Sequence, residues 1–149
     1  MAQGDLYKLV SPLFANSFKK CGYRHIKEEF FAQTFGSENL IYESNEVRLR
    51  FLSERGDLNC VSVIIGPLKS TNQHLLHTIL KYLDFAPQAV YEPPLAEMAR
   101  IFDTACLDIE NFFGSGEYMR SLNELKIFEQ KCLDGVLDEE KRKLREKDG

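Results

Sequence analysis

Few residues in this 149-residue chain combine the types and spacings that chemistry needs. His74 and His77 stand three apart in TNQHLLHTILKYLD, a spacing that on a helix lets two imidazoles share a metal ion. A further His, Cys or acid at a diagnostic spacing is missing, and so is H-E-x-x-H, so no metal site is expected. The expected fate of the pair is one exposed and one half-buried histidine on an amphipathic helix. The carboxylate pairs Glu28-Glu29 and Glu139-Glu140 are adjacent in sequence, which points their side chains apart on either a strand or a helix. Cys21, Cys60, Cys106 and Cys132 lie far apart without a C-x-x-C pair, which indicates neither a zinc knuckle nor a disulfide framework; reduced, buried thiols are expected. No G-x-S-x-G, phosphate loop, G-x-G-x-x-G or S-x-x-K occurs, and Gly114-Ser115-Gly116 reads as a break between helices. The expectation is a non-catalytic protein without a cofactor. The alternative is a small hydrolase or transferase whose site is not visible from sequence.

Two stretches have the chemistry of recognition. Arg48 and Arg50 recur with period two, flanked by Ile41, Glu43, Leu52 and Ile64, so one face of a strand would mix guanidinium donors with apolar area. A guanidinium fork holds a partner carboxylate with two bonds, which makes Arg48, Arg50, Glu43 and Leu52 candidate partner-binding residues. The bland reading is a solvated face on which Glu43 or Glu46 pairs with the arginines. The connector from Phe85 to Pro93 is the second candidate, because Phe85, Val90 and Tyr91 sit in a Pro-bounded loop where an exposed aromatic such as Tyr91 can anchor a partner. Arg55-Gly56-Asp57 spells an adhesion triplet, but it reads as a hairpin tip in which Gly56 supplies the positive φ.

Nineteen basic and twenty-three acidic side chains leave a formal charge of -4, the wrong sign for a protein that tracks phosphate backbones, so nucleic acid is not the expected partner. Hydrophobic residues at 44%, charged residues at 28% and eleven Phe mark a globular chain long enough to bury a core. The N-terminus lacks a basic region followed by an apolar run, and no apolar stretch is long enough to span a bilayer, so a cytoplasmic location is expected.

The elements that must position these residues follow from periodicity. DLYKLVSPLFANSFKKCGY spaces its apolar residues as a helix, with Asp5 as N-cap, Gly22 as stop and Pro12 as a possible kink or late start. Tyr23 to Phe35 reads as a strand. From Leu40 to Ile65 apolar residues alternate. A tight turn at Ser44-Asn45 pairs Tyr42 with Val47 and Leu40 with Leu49, and a three-residue loop at 55–57 pairs Phe51 with Val61 and Leu49 with Val63. The opposite face then carries Ile41, Glu43, Arg48, Arg50, Leu52, Cys60, Ser62 and Ile64. Ser70 and Gln73 offer a capping box for a helix through Leu83, and two amphipathic helices follow, from Pro94 to Phe113 and from Glu117 to Val136, joined tightly enough to form an antiparallel hairpin. The fold class is therefore α+β: an N-terminal helix, an antiparallel meander of three to four strands, then three helices. One domain is expected over 1–137, with a charged tail over 138–149.

The segments LIYESNEVRLRFLSERGDL and FFGSGEYMRSLNEL resemble a class of small bacterial proteins in which a helix and a Y-E-S-x-x-V-x-L-x-F hairpin sheet precede a helical C-terminal half. Proteins of that sort are similar to immunity proteins and to accessory subunits of bacterial conflict systems. The resemblance implies a cytosolic module that works by binding a protein partner. It transfers no catalytic residue. Self-association through the C-terminal helices is a further expectation.

Overall fold

The computed structural model describes residues 4–31, 36–86 and 91–148. Met1 to Gln3, residues 32–35 at the end of the first expected strand, residues 87–90 with Val90, and Gly149 lie outside them. The order of elements is α1 (Asp5–Cys21), β1 (Arg24–Phe31), β2 (Ser37–Glu43), β3 (Val47–Ser53), β4 (Val61–Pro67), β5 (His74–Leu75), α2 (Leu76–Tyr82), α3 (Leu95–Gly114) and α4 (Glu117–Asp148). The strands form one antiparallel sheet in sequential order, so the α+β meander and the α3–α4 hairpin are as expected, with β5 as an additional strand.

Helix α1 buries Leu6, Val10, Phe14 and Phe18 and runs unbroken through Pro12 from Asp5. It ends at Gly22, whose φ of 73° lets the Tyr23 N–H reach back to the Phe18 carbonyl at 2.9 Å and satisfy the last turn. Its other end corrects the reading of Asp5 as N-cap. Gly4 holds that position without a side-chain bond, and two carboxylates from the sheet take the free N–H groups instead: Glu28 accepts from Gly4 at 2.6 Å and Glu38 from Leu6 at 3.0 Å. Anions at a helix N-terminus meet both the unpaired donors and the positive end of the dipole. That explains why the Glu38 carboxylate is buried.

The apolar face is the one the alternation selects: Leu40, Tyr42, Val47, Leu49, Phe51, Val63 and Ile65 are all buried against α1, α2 and α3. The register is not. Tyr42 pairs with Leu49 and Leu40 with Phe51 across the first hairpin, and Leu49 pairs with Ile65 and Phe51 with Val63 across the second, each two residues away from expectation. In the first hairpin Ser44 does not act as a corner of a tight turn. Its Oγ accepts the Val47 N–H at 3.0 Å and donates to Glu110 of α3 at 2.6 Å, which draws Val47 into the turn. In the second, the chain makes the expected turn, with Arg55 and Gly56 at φ 56° and 70° and the Asp57 N–H bonded to Glu54. It then makes another, in which the Asp57 carboxylate accepts the Asn59 N–H at 2.9 Å, so the loop runs over 54–60. A slip of two residues preserves the face and a slip of one would not.

One further correction concerns a helix boundary. The 70–73 capping box does not form: Ser70 Oγ accepts from the Asn72 N–H at 3.0 Å, His74 and Leu75 pair with Ile65 and Ile64 as β5, and α2 starts only at Leu76. The charged tail from Asp138 is helical, as the continuation of α4 to Asp148.

Candidate functional site

The helices cover the inner face of the sheet, and the outer face carries four of the five candidate binding residues. Glu43 and Arg48 are cross-strand partners joined at 2.8 Å between Oε2 and Nε, as the bland reading expected. Arg50 bonds Asn39 through Nε at 3.4 Å and Gln73 through NH1 at 3.0 Å. Asn39 Nδ2 donates to Glu29 at 3.1 Å, and Lys27 lies 3.6 Å from the same carboxylate. A line of hydrogen-bonded groups thus crosses from β1 to the residue before β5. Leu52 sits beside it, half-buried, with Ile41 and Ile64.

Two apolar residues complete the face that sequence reasoning missed. A β-bulge between His25 and Lys27 turns Ile26 out at 48% exposure, and Leu75 on β5 is 49% exposed. Ile26, Glu29, Ile41, Arg48, Arg50 and Gln73 line a shallow depression of about 400 Å³. Asn39 and Glu29 were legible in principle, since the alternation that places Ile41 outward places Asn39 outward too. Gln73 and Ile26 were not, because a loop and a bulge deliver them. Cys60, assigned to this face, lies instead in the 54–60 loop and is exposed, the one free cysteine in the described structure with that fate. Of the other thiols, Cys106 is buried and Cys21 half-buried, its pKa pushed up to about 12 by burial and by the Cys106 thiol.

Tyr91 does not join the face. Its hydroxyl bonds Glu140 and accepts from Lys143 at 3.0 Å, with that ammonium 4.4 Å from the ring centre, so it props the far half of α4. Beside it, α2, β5 and α4 enclose a groove of about 500 Å³ whose walls include His77, Lys81, Tyr91, Cys132 and Leu133. The two histidines do not face one another as a helical pair. His74, on β5, meets the Tyr118 hydroxyl through Nε2 at 2.7 Å, while its Nδ1 lies 3.0 Å from Glu129 Oε1 but off the line of a hydrogen bond. With Tyr118 2% and His74 6% exposed, this trio staples α4 to the sheet. Among the described residues no three His, Cys, Asp or Glu side chains converge to hold a metal ion.

His77 is buried, and burial first and the Lys81 ammonium second lower its pKa from 6.5 to about 4. The folded state therefore favours neutral imidazole. The stability this contributes is complete above about pH 6.5 and is lost as pH falls toward 4. The Glu110 carboxyl, raised by burial, acts in the opposite direction, so the comparison must be made against a variant. Urea midpoints measured from pH 7 to pH 4 should fall less for His77→Gln than for the parent; parallel curves would show that His77 titrates as it does in the unfolded chain.

Comparison with protein-family models, curated proteins and solved structures finds no match to this chain. The class that the fold defines is a two-layer α+β domain with one sheet face that no described helix covers. No helix among the described residues is long and apolar enough to cross a membrane.

Proposed function

We propose that this chain is a non-catalytic protein-binding module that docks an acidic partner on the outer face of its sheet. The observation that carries the reading is the charge and order of that face. Arg24, Lys27, Arg48 and Arg50 stand there against Glu29 and Glu43, a basic island on a chain of net charge -4. Arg48 and Arg50 are already held by neighbours, so a partner carboxylate that meets them orders little that is free. Ile26, Ile41, Leu52, Ile64 and Leu75 supply apolar area around them, the mixture that concentrates binding energy in a few anchors. In keeping with the resemblance carried by the Y-E-S-x-x-V hairpin, the role is that of a bacterial immunity protein or defence-complex subunit, which acts in the cytoplasm by occupying a partner's surface.

The test is affinity capture of the tagged protein from its host, run beside Arg48→Glu with Arg50→Glu and beside Arg100→Glu as a control on the exposed side of α3. Both positions are half-exposed, the Arg48–Glu43 ion pair is worth at most about 1 kcal/mol and Arg50 bonds only the neutral Asn39 and Gln73, so the double variant should fold. A partner lost from the double variant and kept by the control supports the reading. A partner retained by both removes it, and capture of nucleic acid in place of protein reassigns the basic island. The second reading, a small hydrolase or transferase, has the α2–α4 groove as its footing, where a neutral His77 and Cys132 line one space.

A further inference from the structure

Leu125 is the last fully buried side chain of α4 and Phe128, Glu129, Cys132 and Val136 are half-buried beyond it, yet the helix goes on to Asp148, and from Leu133 to Lys147 no side chain is fully buried. That stretch rises about 22 Å, and an isolated helix of such length is marginal in water. It also contains Gly135, around which there is open space. Its internal support consists of exposed ion pairs such as Arg142 with Glu139 and Glu146, which contribute little, and of the Tyr91 prop. Along it Leu133, Leu137 and Leu144 are 52, 50 and 60% exposed. Spacings of four and seven put all three within about 40° of arc, the narrow seam by which helices pair.

Charge along the same stretch is divided. Asp134, Asp138, Glu139 and Glu140 come first, and Lys141, Arg142, Lys143, Arg145 and Lys147 follow, with Glu146 and Asp148 as the acids among them. Laid parallel, two copies would set acid on acid and base on base. Laid antiparallel, each acidic half lies along a basic half, and Leu133 and Leu137 of one copy lie against Leu144 of the other.

We propose that the face is covered by a second copy of this chain, its α4 packed antiparallel about a two-fold axis near the middle of the overhang. The stretch supplies its own complement in both charge and apolar seam, which a foreign helix would have to match twice over, and an isologous contact closes without further growth. The sheet face is not involved, so this pairing stands or falls independently of the proposed docking of an acidic partner.

Sedimentation and light scattering of the whole chain at micromolar concentration should give the mass of two chains. Leu137→Lys with Leu144→Lys should weaken association by about 100-fold or more, while near-ultraviolet circular dichroism of the domain stays unchanged because both side chains are exposed in the single chain. Lys141→Glu with Lys147→Glu should also give single chains, and adding Asp134→Lys with Asp138→Lys should restore the pair. A single-chain mass for the parent, a pair indifferent to the leucine changes, or a charge exchange that fails to restore association would overturn the proposal. So would a foreign protein held on these leucines while the parent sediments as one chain.

Discussion

Replacing Phe51 by alanine should lower the free energy of unfolding by about 3–5 kcal/mol. Phe51 is fully buried at the centre of β3, with its ring centre 4.9 Å from Phe14, 6.4 Å from Phe18 and 6.0 Å from Tyr42. It is the point where helix α1 and two adjacent strands share one contact. Truncation removes the transfer energy of the ring and leaves a cavity whose walls, aromatic and held by their own elements, cannot collapse into it. A domain of this size has roughly 5–15 kcal/mol in hand, so the loss takes from about a fifth of the stability to all of it. Urea unfolding followed by fluorescence and by circular dichroism measures this, with Phe51→Leu as the milder comparison. A loss below about 1 kcal/mol for Phe51→Ala would mean that the inner face of β3 is not the core of the fold.

Gly66→Ala should cost about 3 kcal/mol, although it adds a single methyl group. Gly66 is the cross-strand partner of Arg48, and a Cβ built on it would lie 2.2 Å from the backbone carbonyl oxygen of Asn72. Backbone at that distance cannot rotate away as a flexible side chain would. The loop before β5 must move, and with it go Gln73, which holds Arg50 at 3.0 Å, and the pairing of His74 with Ile65. Hydrogen exchange should report the local part of the damage as lost protection on β5, alongside the lower urea midpoint. An alanine variant of parental stability would show that the 70–73 backbone is not seated on the sheet.

Which side of the sheet turns inward was legible, because the side-chain period of a strand is two and the alternation from Leu40 to Ile65 is nearly unbroken. From it came the inner set, and with it the outward placement of Arg48, Arg50, Glu43 and Leu52. Pairing register was not legible. It depends on turns, and the first turn is shaped by a bond from Ser44 to Glu110, sixty-six residues away. His74 shows the same limit. Its neighbours carry a helical spacing, but an open edge of β4 and the Tyr118 hydroxyl hold it extended, and tertiary contact overrides so short a local pattern.

The amino-acid sequence alone determined the class of fold, the order of its elements and the two faces of the sheet. These rest on hydrophobic periodicity, which is written residue by residue and survives any shift of register by an even number. Only the tertiary structure decided how the strands align, that Glu38 and Glu28 close the start of α1, that Tyr91 belongs to α4 and not to the sheet, and that α4 runs on past the body of the domain. Each of these is a contact between groups far apart in the chain, and such contacts exist only once the chain has closed on itself.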